Sequence, residues 1–170
     1  PSMSKETDVN AYATTYMDQN WSIIPLRHKD KRATLRWQEF QYRRATQEDL
    51  DSWLSRWPDI NLGVVTGIVS RLVVVDINPT HGGDDSLFDL EKTHGALPRT
   101  VEAITGGGGH HLYFQHPGGV VHNRVGFAPG IDIRGDGGYV VAPPSLHVSG
   151  VRYSWAPGHA PGEITIAPLP

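Results

Sequence analysis

Asp132 and Arg134 stand two residues apart in the run Ile131-Asp132-Ile133-Arg134-Gly135-Asp136-Gly137-Gly138-Tyr139-Val140-Val141-Ala142-Pro143-Pro144-Ser145. On a β-strand, residues i and i+2 share a face. A carboxylate and a guanidinium therefore project side by side, one suited to a cation and the other to an anion, as a metal-bound phosphate requires. The run Leu72-Val73-Val74-Val75-Asp76-Ile77-Asn78 repeats half of this logic. It is an apolar strand ending in two oxygen-bearing side chains on one face. Asn78 offers a carbonyl oxygen but no charge, which makes it a poor bridge between cations. A third run, Thr105-Gly106-Gly107-Gly108-Gly109-His110-His111-Leu112-Tyr113-Phe114, joins a glycine turn to a strand. Gly108 and Gly109 allow close backbone approach and carry amides that an anion could use. His111 shares a face with Tyr113, and His110 with Leu112. His111 is the preferred site residue, because an imidazole beside a phosphate donates to it and is favoured as the cation.

Two familiar motifs are excluded. No Gly-Lys-Ser/Thr follows the glycines, so this is not a P-loop. Adjacent strand histidines point apart, so His110 and His111 do not form a zinc pair. Asp76 and Asp132 suit Mg²⁺ or Mn²⁺, hard cations that keep open positions for substrate phosphates. A strand-end Asp is also an ordinary turn residue, and the glycine turn with surface histidines is an ordinary hairpin. Both readings stay open on spacing alone.

Charge and composition narrow the classes. Fifteen Lys/Arg against eighteen Asp/Glu give a net charge of −3, which excludes a general polyanion binder. Locally, Arg27 to Arg44 holds seven Lys/Arg against Asp30 and Glu39, interleaved with Trp37, Phe40 and Tyr42. Lys29, Lys31, Arg32, Arg36 and Trp37 are candidates for gripping and stacking single-stranded nucleic acid. A solvated basic loop is the competing account. The absence of cysteine removes disulfides and thiolate metal sites. No membrane-length apolar run or leader pattern occurs, and a cytoplasmic location is expected.

The elements that must position these residues read as α+β, with a mixed or antiparallel sheet core and flanking helices. Helices are expected over Val9–Asn20, after an Asx/Thr-type cap at Thr46 with Asp49 closing a capping box, and over Ser86–His94. Asp84 and Asp85 serve as cap and first-turn charges of the last helix. Strands are expected over Trp21–Leu26, Asn61–Thr66, Arg71–Ile77, Thr100–Ile104, His111–Gln115, Gly130–Arg134 and Gly138–Ala142, with late edge strands at Tyr153–Trp155 and Glu163–Ile166. Asn61–Thr66 and Arg71–Ile77, separated by Gly67, read as a hairpin-like pair. Asp136 is expected to serve the glycine turn around it. The whole of 1–170 reads as one domain. Pro1-Ser2 before Met3 has the look of a tag scar, so 1–8 is read as a flexible amino end. The Pro-rich stretch 156–170 is read as leading toward further domains.

Taken in order, these runs resemble the amino-terminal domain of bifunctional DNA primase/polymerase (prim-pol) proteins of the archaeo-eukaryotic primase superfamily. The resemblance covers about Trp21 to Trp155. It includes an Asp-x-Asp/Glu pair after an apolar strand at Asp76-Ile77-Asn78, and a glycine turn leading to His111. It also includes the Asp132 segment, the later Ser149-Gly150 and Tyr153-x-Trp155. It implies a primase-polymerase fold and a template-dependent nucleotidyltransferase of a plasmid, phage or mobile-element replication protein. Asp76, position 78 and Asp132 would be metal ligands for Mg²⁺ or Mn²⁺ in two-metal phosphoryl transfer. His111, Arg134, Gly108 and Gly109 would meet the nucleotide. Partners would be a single-stranded DNA template, a primer, dNTPs or NTPs, and a helicase or helical accessory domain. Asn78 departs from the family pattern and predicts impaired catalysis. Two other readings stand beside this one: a non-catalytic nucleotide or single-strand binding module, and a metal-dependent phosphohydrolase.

Overall fold

The computed structural model describes residues 8–170, so the tag-scar reading of positions 1–7 lies outside the described residues. Asp8, grouped by sequence with the flexible end, instead caps the first helix: its carboxylate accepts the Ala11 N–H at 3.3 Å. The chain then runs α1 (Val9–Asp18), β1 (Ser22–Leu26), α2 (Gln47–Arg56), β2 (Asn61–Val65), β3 (Leu72–Ile77), α3 (Gly83–His94), β4 (Val101–Ile104), β5 (His110–Gln115), β6 (Arg124–Ala128), β7 (Ile131–Arg134), β8 (Tyr139–Ala142), β9 (Ser154–Trp155) and β10 (Ala167–Pro168). This is the expected α+β class. The α2 capping box forms as read, with Thr46 accepting from Asp49 N–H and Asp49 accepting in return. α3 starts earlier than expected, at Gly83, with Asp84 and Asp85 in its first turn and Gly82 at its cap.

Two sheets form. The small one is antiparallel β1-β2-β8, and the large one runs β6-β7-β3-β5-β4-β9, with β10 added in parallel to β5. The hairpin-like pairing of β2 with β3 is therefore overturned. A single bridge, Gly67 to Leu72, closes the turn between them, after which the strands diverge into different sheets. Gly67 takes φ +95°, and a Cβ there would meet Asp136 Oδ1 at 2.6 Å. The turn is thus fitted to Asp136 rather than to a two-strand ladder. The late edge strand expected over Glu163–Ile166 is displaced too: the paired residues are Ala167 and Pro168. The sequence did not mark β6 because its alternation is only two residues long, Val125 and Phe127 around Gly126, and both are exposed.

The large sheet is apolar on both faces, which explains the unbroken Leu72–Val75 run. Leu72 and Val74, with Val101, Ala103 and Tyr113, join the main core with the small sheet and α1. Val75 and Ile77, with Leu112, Phe114 and Ile131, join a second core beneath Leu87 and Leu90 of α3. Trp21 is stacked between Tyr16 and Tyr113, at centroid distances of 5.5 and 5.4 Å, and so ties α1 to both sheets. The carboxyl stretch folds back onto the large sheet: Ala156 N–H donates to Glu102 and Ala167 N–H to the Thr100 hydroxyl.

Candidate active site

Strand register aligns three of the chemistry-bearing residues. Asp76 on the central strand β3 lies directly opposite His111 of β5 on one side and Asp132 of β7 on the other. Directly opposed residues share a face. Asp76, His111 and Asp132 therefore stand abreast on the face that looks toward the small sheet, with Val74 and Arg134 paired one step along. His110 points the other way and meets Glu102 at 3.1 Å, as alternation demands.

The run Ile131–Ser145 builds two walls of the cleft. Its first part is β7 in the large sheet, and its last part is β8 in the small one. Gly135 to Gly138 makes the crossing, and it has no room for side chains at two points. A Cβ on Gly135 would lie 2.1 Å from Val121 O, and one on Gly138 would lie 2.4 Å from Asn123 Oδ1. Between the sheets lies a cleft of about 310 Å³ lined by Asp76, His111, Arg134, Asn123, Lys31, Trp37, Tyr139 and Tyr153, among others. Trp37 sits edge-on to Tyr139 at 4.9 Å, and Tyr139 O–H donates to the Lys31 carbonyl at 2.6 Å, which fixes the basic loop against the cleft.

Each carboxylate is held by a different device. Burial alone would push the Asp76 carboxyl up, but His111, with the charges of Arg134 and Lys31, outweighs this and holds it below the usual carboxylate value. His111 Nε2 lies 3.6 Å from Asp76, while its Nδ1 is buried with no protein partner. Asp132 receives the Gly126 N–H at 2.8 Å on one oxygen and Arg134 at 3.3 Å on the other. Gly126 reaches it from an irregular stretch of β6 between Arg124 and Ala128, at φ +70°, a conformation that suits glycine. Burial, with the nearby Asp76 charge, pushes the Tyr153 hydroxyl up to about 12.

Other candidates fall elsewhere. The Asn78 amide oxygen accepts the Thr80 N–H at 3.1 Å and the Thr80 hydroxyl at 2.6 Å, capping a short 3-10 turn at Pro79–His81. The Gly108 and Gly109 amides are taken by Thr105, at its carbonyl and hydroxyl respectively. The work of Gly109 is close approach, since a Cβ would lie 2.5 Å from Ile77 O. Arg32 pairs with Asp30 at 2.8 Å, and Arg36 is exposed and does not line the cleft. Lys29 lies in an adjoining depression that also contacts Lys31. Asp136 accepts from Ile68 N–H and Val121 N–H and meets His116 at 3.1 Å, so it clamps the turns around the crossing. Sequence reading passed over Asn123 and Tyr139 as cleft residues. Asn123 sits in a loop with no periodicity, and Tyr139 was legible only as part of its segment.

Among the described residues, no three His, Cys, Asp or Glu side chains gather closely enough to hold a metal ion by themselves. Asp76 and Asp132 side by side do suit one hard divalent cation whose remaining ligands come from substrate phosphates and water.

Fold and cleft together define an α+β domain in which the Asp76 carboxylate, an imidazole and a guanidinium line a cleft between two sheets, with Asp132 opposite Asp76 on the neighbouring strand but outside the cleft lining, a set suited to phosphate esters. The family model described as bifunctional DNA primase/polymerase, N-terminal (Prim-Pol), matches residues 13–170, and the chain belongs to that family. No curated protein matches the chain. The family is one of primase/polymerase nucleotidyltransferases acting on nucleic acid and nucleotides. Among the described residues, no helix is long and apolar enough to cross a membrane.

Proposed function

We propose that this cleft adds nucleotides to a 3′-hydroxyl under the direction of a single-stranded DNA template. The observation that carries the reading is the cross-strand row Asp76, His111 and Asp132, with Arg134 opening into the same cleft. Asp76 and Asp132 would hold Mg²⁺ or Mn²⁺, which when bound lowers the pKa of the attacking hydroxyl and offsets phosphate charge. Asp76 is kept ionised by its surroundings and so is ready for that duty at neutral pH. Arg134 and Lys31 balance the triphosphate's charge, and His111 donates to a phosphate oxygen. The new bond joins the 3′-oxygen to the α-phosphorus, while the bond to pyrophosphate breaks. Trp37 offers an aromatic face for a base at the rim.

Position 78 does not line the cleft, but it follows Asp76 by two residues, and a carboxylate there would add charge beside the ion. An amide there supplies no charge, and its oxygen is already shared by two Thr80 donors. Catalysis is then reduced by about a hundredfold or more relative to a carboxylate. The same observation favours a second reading, a nucleotide-binding module without turnover. Primer extension with labelled dNTPs and Mn²⁺, run before and after Asn78→Asp, separates the two. Template-dependent product that rises in the variant supports a polymerase, and metal-dependent binding without product in either chain supports the module. Phosphate release without template would instead identify a phosphohydrolase.

A further inference from the structure

Asn123 lines the cleft from the loop that precedes β6. Two residues earlier this loop is fastened to the crossing between β7 and β8. Asp136 N–H donates to Val121 O at 2.6 Å, and Val121 N–H donates to the Asp136 carboxylate at 2.8 Å. The Asn123 side chain is held as well: its amide oxygen accepts the Gly135 N–H at 2.8 Å. An amide that gives its oxygen to a donor turns its nitrogen elsewhere. Among the described residues, that nitrogen, Nδ2, meets no hydrogen-bond partner. The amide also lies against Gly138, where a Cβ would be 2.4 Å from Oδ1 and 2.8 Å from Nδ2. Glycine at 138 is what makes room for it.

The crossing sets the cleft's groups in order. Arg134 precedes Gly135, and Tyr139 follows Gly138. Packed on both glycines, the Asn123 amide stands between a guanidinium and the Tyr139–Trp37 ring pair, whose centroids are 4.9 Å apart. Phosphate oxygens favour Arg134 and Lys31, because charge-assisted hydrogen bonds are about twice as strong as neutral ones. A base favours the aromatic faces. A neutral donor between the two is left to meet the sugar that joins them.

We propose, resting on the reading of the cleft as the seat of the incoming nucleotide, that Asn123 Nδ2 donates to a hydroxyl oxygen of that nucleotide's sugar. Asn123 is then a specificity residue. A site built to hydrogen-bond a hydroxyl rejects the analogue that lacks it, because its donor is left unpaired.

The test is calorimetric titration of the full chain with Mn²⁺ and no template, so that nothing is turned over, using dATP, ATP and 2′,3′-dideoxy-ATP. The first two carry a sugar hydroxyl and the third carries none. The unaltered chain is expected to bind dATP, ATP or both about fivefold more tightly than the dideoxy analogue. Preference for both assigns the contact to the 3′-oxygen, and preference for ATP alone assigns it to the 2′-oxygen. The preference is expected to vanish in Asn123→Ala. It should vanish too in Asn123→Asp, which still accepts the Gly135 N–H but has no proton to donate. Reading a ratio cancels any general loss from the Asp charge or from a disturbed loop. A ratio near one in the unaltered chain, a ratio that survives both substitutions, or no binding of any of the three overturns the proposal. Binding is read apart from synthesis, so the two readings fail separately. A chain that keeps the preference but extends no primer contradicts the polymerase reading alone, and one that extends primers without the preference contradicts the role of Asn123 alone.

Discussion

Asp76 and Asp132 are alike in type and spacing but are held differently, and that difference makes their roles separable. Asp76 depends on His111, Arg134 and Lys31 to stay charged against burial, whereas Asp132 is oriented by the Gly126 N–H and Arg134. Asp76→Asn and Asp132→Asn are near-isosteric, so each should keep the fold and lose about a hundredfold or more of primer extension, read by gel with circular dichroism as the fold control. Asn78→Asp runs the other way: an Asp oxygen can still accept from Thr80, so extension should rise by about the same factor without loss of stability. The same-face placement of Asp132 and Arg134 was legible from a period of two. That Asp76 lies opposite both His111 and Asp132 was not, because it depends on pairing between residues about 35 and 56 positions apart in the chain, which no local pattern encodes. Nor did the sequence reveal that the glycine-turn amides would be consumed by Thr105.

At the scale of elements, the crossing from β7 to β8 decides whether the cleft exists, and Asp136 secures it. Burial raises the Asp136 carboxyl, but donation from Val121 N–H, His116 and Ile68 N–H outweighs it, so the folded-state value lies below the ordinary one. The stability this supplies is complete above the unfolded carboxylate's pKa of about 4 and is lost as pH falls through the lower folded value. Asp136→Asn should therefore destabilise the chain by about 2 kcal/mol at pH 7, with the difference shrinking as the pH falls below about 4. Urea unfolding of both chains at several pH values measures it. The expectation of a β2–β3 hairpin failed at this same place. Two β-branched runs around a glycine turn look like a hairpin, but Gly67 closes against Asp136, 69 residues later, and the strands part. Helix boundaries were more legible, since Thr46 and Asp49 signal a cap by themselves.

Across the whole molecule, two cores on opposite faces of one sheet leave the row of site residues at the margin of the main core. Trp21 joins α1, the small sheet and the large sheet through its stacking with Tyr16 and Tyr113. Trp21→Ala should cost about 3–5 kcal/mol and lower a single unfolding transition rather than split it, as denaturant curves read by fluorescence and circular dichroism would register. Fold class and family were legible because motif order survives in sequence. The two-sheet division and the edge strand β6 were not, because β6 offers only a two-residue, exposed alternation at Val125 and Phe127 and the crossing glycines conceal where one sheet ends. Strand synthesis is proposed to run through Asp76 in this cleft and Asp132 opposite it on the neighbouring strand. It is tested most directly by copying a defined single-stranded DNA template with labelled dNTPs and Mn²⁺, using the Asn78→Asp chain with and without Asp132→Asn. Template-length product is expected from the first chain, and a fall of about a hundredfold or more in the second. Equal product from both, or none from the Asn78→Asp chain under conditions where it binds nucleotide, would contradict it.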